Sequence, residues 1–509
     1  MIYFHWLIFV LYALVVLGSM GAVLMDNRQP AKTMAWLLVL VFIPVVGIIL
    51  YFFFGQNTRK ERFISRQSLD LLSKRSMLSF FEQSNLRLPE KHKSLIRLFS
   101  QQGWALPFKN NHVDIFTDGS SFFLELLAAI GRARHHIHLD FYIIEDDPLG
   151  RLVTDALIDK AQQGVEVRVI YDDVGCWNVP SAFFERMRDG GIDVHAFMPV
   201  KFPAFTSKVN YRNHRKLCVI DGREGFVGGM NIALRYVKGI KPKGGKREAD
   251  VASSSPSSAS SASSASSTVP SSSSTDRPLW RDTHLRIEGG AVYGIQSAFL
   301  VDWYFVDRTL ITDRVYYPEQ NPAIDNNCIA QIVTGSPISP WPEIMHGYVR
   351  ILLEAKRYVY METPYFLPTE SVWFAMRTAA LSGVDIRLMM PLHTDAKFLE
   401  WASRSYITEA IEAGVKVYFY EEGFNHSKML VADDFISTCG STNIDFRSFD
   451  NNFEANAFFY DEGMALRMKA IFMRDVKNSR LASKEDTLFK RPFLQRLWES
   501  IVRLFSPLL

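Results

Sequence analysis

The chain has 509 residues, 48% of them hydrophobic, and a formal net charge of only +3. That is enough material for two ordinary domains or one large duplicated one, and so small a charge gives no reason to expect a nucleic-acid binder. The four cysteines (Cys176, Cys218, Cys328, Cys439) form no C-x-x-C pair and no metal-like spacing, which argues against a disulfide scaffold and fits reduced thiols in a cytoplasmic setting.

Taken in chain order, the first element is apolar. Tyr3 to Met25 is hydrophobic apart from His5 and Ser19, and Met34 to Gly55 is a second such run. Each is about long enough to cross a hydrocarbon core of roughly 30 Å. The first run lacks a basic flank and is followed at once by another, which argues against a cleaved signal peptide. Residues 1–56 therefore read as a two-helix transmembrane hairpin joined by Asp26 to Thr33. Arg59, Lys60, Arg62 and Arg66 follow it, whereas the joining loop has only Arg28 and Lys32. The positive-inside rule places the bulk of the chain in the cytoplasm, on a multi-pass protein of the cytoplasmic membrane. Residues 57–107 form a charged juxtamembrane linker. Within it, Leu69 to Phe81 and Lys91 to Phe99 fit either short amphipathic helices or solvated chain.

From Val113 onward strands and helices alternate. VDIFTDG, HIHLDFYII, VEVRVIYDDVG and VHAFMPV read as strands; Phe122–Arg134, Gly150–Gln163 and Ala182–Arg188 read as helices. A motif follows, with His214, Lys216, Asp221, Gly228, Gly229 and Asn231. The stretch 241–278 is serine-rich and low in complexity, and its composition predicts a disordered insertion. WRDTHLRIEGGAV (Trp280–Val292) then resumes ordered sequence.

The same rhythm recurs later. RYVYMETPYF, VDIRLMMPL and VKVYFY read as strands between helices at Tyr348–Lys356, Ser371–Leu381 and Phe398–Ala413. A second motif follows, with His426, Lys428, Asp433, Gly440, Ser441 and Asn443. In both motifs Lys is two after His, Asp seven after, the Gly pair begins fourteen after, and Asn is seventeen after. So many matched spacings indicate an internal duplication. The predicted class is α/β, in two halves at 108–310 and 325–509. The last residues, FLQRLWESIVRLFSPLL, place Leu494, Leu497, Ile501, Leu504 and Phe505 on one helical face. Lying on a bilayer and packing on the domain both fit that pattern.

H-x-K puts imidazole and ammonium on one side of a strand. A Gly pair permits close backbone approach, and the Asn adds an amide donor. Imidazole, ammonium and amide together suit a phosphodiester, and two copies supply one histidine to attack phosphorus and one to protonate the leaving oxygen. Asp221 completes the first motif and Asp433 the second, which makes both candidate catalytic residues beside the histidines and lysines; each ends an apolar strand, where a turn-forming role also fits. No metal cluster or cofactor motif is visible.

The pattern H-x-K-x-x-x-x-D with a following Gly-Gly or Gly-Ser pair and Asn resembles the signature of the phospholipase D superfamily. NRQPAKTMAWLLVL and PVVGIILYFFFG, WRDTH, ETPYF, Arg447 in DFRSFDNN and the C-terminal tail resemble bacterial cardiolipin synthases. The serine-rich insertion departs from that family, in which the connection is short. The resemblance implies duplicated α/β sandwich halves that face each other and share one active site. It implies no cofactor, phosphatidylglycerol and cardiolipin in the bilayer as partners, and no nucleic acid. Two phosphatidylglycerol molecules would give cardiolipin and glycerol through a phosphohistidine. The rival outcome is a hydrolytic phospholipase D that releases phosphatidic acid. By the same resemblance His214 is the nucleophile and His426 the acid, with Lys216, Lys428, Asn231 and Asn443 on the phosphoryl oxygens. Glu454 is expected to orient the histidine of its own half, and Asp282 to orient His214. Glu362 and Tyr365 fit pocket lining and scaffold equally. Oligomeric state is not legible.

Overall fold

The computed structural model describes residues 2–25, 30–51, 88–103, 105–200, 210–238, 279–483, 492–504 and 506. The serine-rich stretch, the basic residues at 59–66 and the Leu69–Phe81 segment lie outside the described residues, so the expectations placed on them are not addressed.

Helix α1 (Ile2–Met25) leaves Leu7, Leu11, Leu14 and Leu17 exposed. Among the described residues it is the one helix long and apolar enough to cross a membrane. The second apolar run differs from a single span. It is split into α2 (Pro30–Phe42) and α3 (Pro44–Leu50) at Ile43, whose backbone (φ −136°, ψ 60°) is not helical. Proline has no N–H and pushes the residue before it out of the helical region, so the break falls at that point. After a turn at Glu90–His92, α4 (Lys93–Gly103) buries Leu95, Ile96 and Phe99 in the core of the second half. That segment is thus a docked helix rather than a free linker.

The first half runs β1 (Asn111–Phe116), α5 (Gly119–Arg132), β2 (His136–Phe141), α6 (Pro148–Gln162), β3 (Glu166–Asp172), α7 (Ser181–Asp189), β4 (Asp193–Phe197), β5 (Arg212–Asn213), β6 (Lys216–Ile220), β7 (Glu224–Gly228), α8 (Arg235–Lys238), β8 (Leu279–Arg281), β9 (His284–Gly289) and α9 (Val292–Asp307). Helices α5 and α6 start where the Asp118 and Asp147 side chains accept the N–H groups of Ser121 and Gly150. Every residue of β2 is buried, as a central strand covered on both faces requires. The seven-stranded sheet has the order β1-β9-β7-β6-β2-β3-β4. β2, β3 and β4 are parallel, and the rest pair antiparallel.

The second half runs β10 (Ile329–Gly335), α10 (Glu343–Glu354), β11 (Tyr358–Glu362), β12 (Phe366–Leu367), α11 (Glu370–Leu381), β13 (Asp385–Pro391), α12 (Lys397–Glu412), β14 (Lys416–Tyr420), β15 (Gly423–Asn425), β16 (Met429–Ala432), β17 (Ile436–Gly440), β18 (Ile444–Asp445), α13 (Phe446–Asp450), β19 (Asn452–Tyr460), α14 (Glu462–Lys477), β20 (Ser479–Leu481) and α15 (Phe493–Arg503). Its main sheet, β10-β19-β17-β16-β11-β13-β14-β20, repeats the first sheet strand for strand and adds β20 at one edge. The duplication read from the motifs is therefore a duplication of topology.

The inner faces of the two sheets meet in one apolar layer. Leu217, Val219, Val227 and Leu285 pack there with Met429, Val431, Ala457 and Phe459, joined by side chains of α9 and α14. Separate clusters lie under the outer helices of each half. Two short parallel pairings stitch the halves together. β5 pairs with the start of β19, Asn213 opposite Phe453, and β15 pairs with β8, Asn425 opposite Arg281. Each pairing stops one residue short of a motif histidine.

Candidate active site

That register decides which carboxylate meets which histidine. One residue beyond the β5–β19 pair, His214 faces Glu454. One residue beyond the β15–β8 pair, His426 faces Asp282. His214 Nδ1 lies 3.0 and 3.1 Å from the two Glu454 carboxylate oxygens. His426 Nδ1 lies 2.7 Å from Asp282 Oδ2. The expectation that Asp282 serves His214 and that Glu454 serves the histidine of its own half is corrected: each acid crosses to the other half. The reason is strand register across the interface, which spacing within one half does not contain.

A carboxylate only accepts, so both rings donate from Nδ1 and present an unprotonated Nε2. The peptide N–H groups fix the rings further. His214 donates to Phe453 O at 2.9 Å and His426 to Arg281 O at 2.7 Å. Lys216 Nζ donates to His214 O at 2.6 Å, and Lys428 Nζ likewise donates to His426 O. Both motif lysines thus cradle their own histidine.

The two motifs form one site electrostatically. The Lys428 charge depresses His214, and the Lys216 charge depresses His426. Burial is the larger cause in each case. It takes His214 down to about 4 against the pull of Glu454, and His426 down to about 3 with Lys428 adding to it. Burial also lowers Lys216 to about 7 and lowers Lys428. Burial raises the Asp282 and Glu454 carboxyls, but their cationic and hydrogen-bonded neighbours outweigh it and hold both below the ordinary range. The site therefore holds neutral imidazoles, ionised carboxylates and lysines whose charge is opposed by burial.

The Gly pairs have different jobs in the two copies. A Cβ on Gly229 would stand 2.1 Å from Asp282 Oδ1, so only glycine leaves room for that carboxylate. At the matching place Ser441 donates its hydroxyl to Glu454 Oε2 at 2.5 Å. Asn452 donates to the other Glu454 oxygen at 3.1 Å. The Gly-Gly and Gly-Ser variants thus track the two acids they support.

Asp221 and Asp433 do not join the site, which corrects the expectation of a catalytic role and matches the turn-forming one. Each sits at a positive φ of 53° at the far end of its motif strand. Asp221 accepts the N–H groups of Arg134, His135 and His136 at 2.7–2.9 Å. Asp433 does the same for Lys356, Arg357 and Tyr358 at 2.8–3.0 Å. Their role is to tie β6 to β2 and β16 to β11. Asn231 is partly committed to the protein: Oδ1 accepts from Ile143 N–H at 3.2 Å, and Nδ2 donates to the Tyr236 hydroxyl at 2.9 Å. Asn443 is buried and its side chain bonds the Asp445 carboxyl, while among the described residues its Oδ1 has no hydrogen-bond partner.

Sequence reasoning missed two buried arginines. Arg215, inside the first motif, donates from Nε to Glu454 O at 3.0 Å, from a terminal nitrogen to Gly335 O at 3.2 Å, and from the other to Asp302. Arg281, also from the first half, reaches into the second, 2.6 Å from Asp475 and 3.6 Å from Glu362. Glu362 is scaffold in this cluster, its carboxyl raised by burial to about 7 against the Arg281 charge. Also missed was an aromatic enclosure. Trp280, Phe424, Tyr236 and Tyr365 stand 5.1, 5.6, 6.3 and 6.5 Å from the His426 ring. His214 has Tyr142 at 5.1 Å. Arg447 is close enough to Tyr142 to oppose the rise that burial gives its phenol. Among the described residues no cluster of His, Cys, Asp or Glu has the make-up of a metal site.

Comparison with known proteins follows this geometry. Residues 126–263 and 348–476 match the family model described as cardiolipin synthase, PLD-like domain. Residues 6–56 match the model described as Phospholipase_D-nuclease N-terminal. The chain is 38% identical over 514 aligned residues to the major cardiolipin synthase ClsA of Bacillus subtilis (strain 168), covering 98% of both chains. It is 36% identical to cardiolipin synthase 1 of Staphylococcus aureus (strain COL), covering 95% of this chain and 93% of that one. Among solved structures, a phosphatidylserine synthase of Haemophilus influenzae Rd KW20 superposes with a TM-score of 0.59 at 13% identity, covering 82% of this chain and all of that one, a likeness of fold.

Proposed function

The chain belongs to the bacterial cardiolipin synthases of the phospholipase D superfamily, as a phosphatidyltransferase, and from that premise we propose the reaction and the roles of its residues. Phosphatidylglycerol gives up its phosphatidyl group to a histidine, and a second phosphatidylglycerol takes it, yielding cardiolipin and glycerol. The observation that carries this reading is the pair of imidazoles, each anchored at Nδ1 on a carboxylate of the other half, with two lysines around them.

In the first step His214 Nε2 attacks phosphorus. The P–N bond forms, the P–O bond to glycerol breaks, and the leaving oxygen takes the proton of a protonated His426. Glu454 balances the charge that develops on the His214 ring. In the second step His426 takes the proton of the incoming lipid hydroxyl as that oxygen attacks phosphorus. The P–N bond breaks, and both rings return to their starting states. His426 must enter protonated although burial favours its neutral form. The bound phosphodiester brings the negative charge that reverses this, and Asp282 supports the cation. Lys216, Lys428 and Asn443 are assigned to the phosphoryl oxygens, with Asn231 contributing its remaining amide hydrogen.

The reading further places α1 and the kinked α2–α3 segment in the cytoplasmic membrane. The catalytic body is on the cytoplasmic side, from the excess of arginine and lysine after the hairpin. The test uses full-length enzyme in vesicles of phosphatidylglycerol labelled in its glycerol headgroup. Equal amounts of free glycerol and cardiolipin are expected. Phosphatidic acid without cardiolipin would establish hydrolysis instead.

A further inference from the structure

Helix α15 packs with its amphipathic pattern inverted. Glu499 and Val502 are 2% and 1% exposed against α12. Arg503 donates to Ser405 at 2.9 Å, pairs with Glu409, and lies over the Tyr406 ring at 4.0 Å. Arg404 approaches Glu499 at 3.7 Å. Most of the apolar residues face away. Phe493 and Leu494 are 75% and 76% exposed, and Leu497, Ile501 and Leu504 are exposed with them, while Trp498 stands half-exposed at the edge against Trp401. At about 100° per residue the five outward residues cover an arc of about 100°. A helix held only by burial of its apolar stripe would be rotated the other way.

The helix also has a direction. Trp498 meets Trp401, Glu499 meets Arg404, and Arg503 meets Ser405 and Glu409, so α15 and α12 run parallel. The start of α15 therefore lies at the start of α12, two residues after Asp395. Asp395 is exposed and accepts the Tyr365 hydroxyl at 2.7 Å, and Tyr365 is 6.5 Å from His426. Lys397 and Arg496 are exposed near that end. The apolar arc is thus on the side of the molecule that holds the second motif, with cations at its edge, on a chain that already carries a membrane-length apolar helix.

We propose that this outward arc of α15 lies in the surface of the phospholipid bilayer and sets the His426 side of the site at the headgroup level. Apolar side chains on one face with arginine and lysine beside them are what an interfacial helix on anionic lipid requires. The inference rests on the lipid substrate proposed above, but its main test does not read turnover. Full-length protein is placed in vesicles of phosphatidylglycerol and phosphatidylcholine. Leu497→Cys and Ser500→Cys variants each carry an environment-sensitive fluorophore; the four native cysteines are buried. A nitroxide in the acyl region should quench the label at position 497 several-fold more than the label at position 500. Equal quenching would overturn the proposal. Cross-linking of position 497 to a second copy, or to another segment of this chain, would also overturn it, because protein would then cover the arc. A second arm uses Leu494→Asp with Leu497→Asp. The apparent KM for phosphatidylglycerol in vesicles should rise at least fivefold, and the rate on a short-chain, monomeric phosphatidylglycerol should stay within twofold. Equal losses on both substrates would count against the surface role.

Discussion

Exchange of the two acids for their amides separates the roles assigned to the histidines. Glu454 accepts three hydrogen bonds, from His214 Nδ1, Ser441 and Asn452. Glu454→Gln replaces one acceptor by a donor, so the His214 ring turns to the tautomer with its proton on Nε2, where it cannot attack. The wrong tautomer of a catalytic histidine costs about 10⁴-fold in rate, or roughly 5.5 kcal/mol. Folding stability should fall too, by about 1–3 kcal/mol for the mismatched buried groups. Asp282→Asn impairs His426 in the same way. The assay is rapid-quench adduct formation from a phosphatidyl donor with a good leaving group, which needs no acid. Glu454→Gln should lose the adduct burst almost completely. Asp282→Asn should keep the burst and lose turnover, because the acceptor hydroxyl is no longer deprotonated. The reverse pattern, with the burst surviving in Glu454→Gln and lost in Asp282→Asn, would refute both the crossed pairing and the choice of His214 as nucleophile.

Further expectations follow from single contacts. Gly229→Ala puts a carbon where Asp282 Oδ1 now stands 2.1 Å away, so it should reproduce the Asp282→Asn kinetics in a folded protein, checked by circular dichroism alongside the burst assay. Asp221→Ala strips three backbone N–H groups of their acceptor and should lower stability by about 1–3 kcal/mol in denaturant titration, while kcat of the folded enzyme stays within a few-fold. Burial lowers Lys216 from 10.5 to about 7, so between those values the unfolded chain binds the extra proton and the native one does not. Lipid-free stability should therefore rise with pH from about 7 toward 10.5. Lysine-to-methionine exchange at position 216 should flatten that rise in thermal unfolding, and an unchanged slope would show that Lys216 is charged throughout.

Local pattern made the repeated unit legible, and it did not carry the contacts between units. The strands from β1 to β4, and β11, β13 and β14 in the second half, follow from apolar runs and alternation, whereas β10 (Ile329–Gly335) escapes that reading. The motif spacings single out His214, Lys216, His426 and Lys428, which the fold brings together. The acid pairing was misread because each partner comes from a strand more than a hundred residues away, through the β5–β19 and β8–β15 registers. Asp221 and Asp433 share the motif for a reason of folding: a positive φ at a strand end, with three amides to satisfy. The second apolar run reads as one span by hydropathy, but Pro44 acts on backbone geometry, which hydropathy does not weigh. Arg215 and Arg281 look like ordinary surface charge in sequence. Only the assembled interface shows them buried against Asp302 and Asp475.

The two halves repeat a topology but not an environment, and the difference suits a transferase. His214 stands against Tyr142 and Glu454, a carboxylate that in the proposed reaction balances the charge of a ring carrying a phosphoryl group. His426 is ringed by Trp280, Phe424, Tyr236 and Tyr365, with Lys428 beside its Nδ1. In the proposed reaction His426 chooses what attacks the phosphohistidine, because the attacking hydroxyl must give it a proton. Water is the smaller and more abundant competitor. An aromatic wall offers water few hydrogen-bond partners and lets a lipid headgroup displace it. Opening that wall should shift the outcome rather than only the rate. Trp280→Ala removes the ring at 5.1 Å and opens the enclosure from the first half. The ratio of phosphatidic acid to cardiolipin, read by thin-layer chromatography of labelled product, should rise by at least tenfold. A variant that loses cardiolipin without gaining phosphatidic acid would mean that the ring positions His426 and does not exclude water.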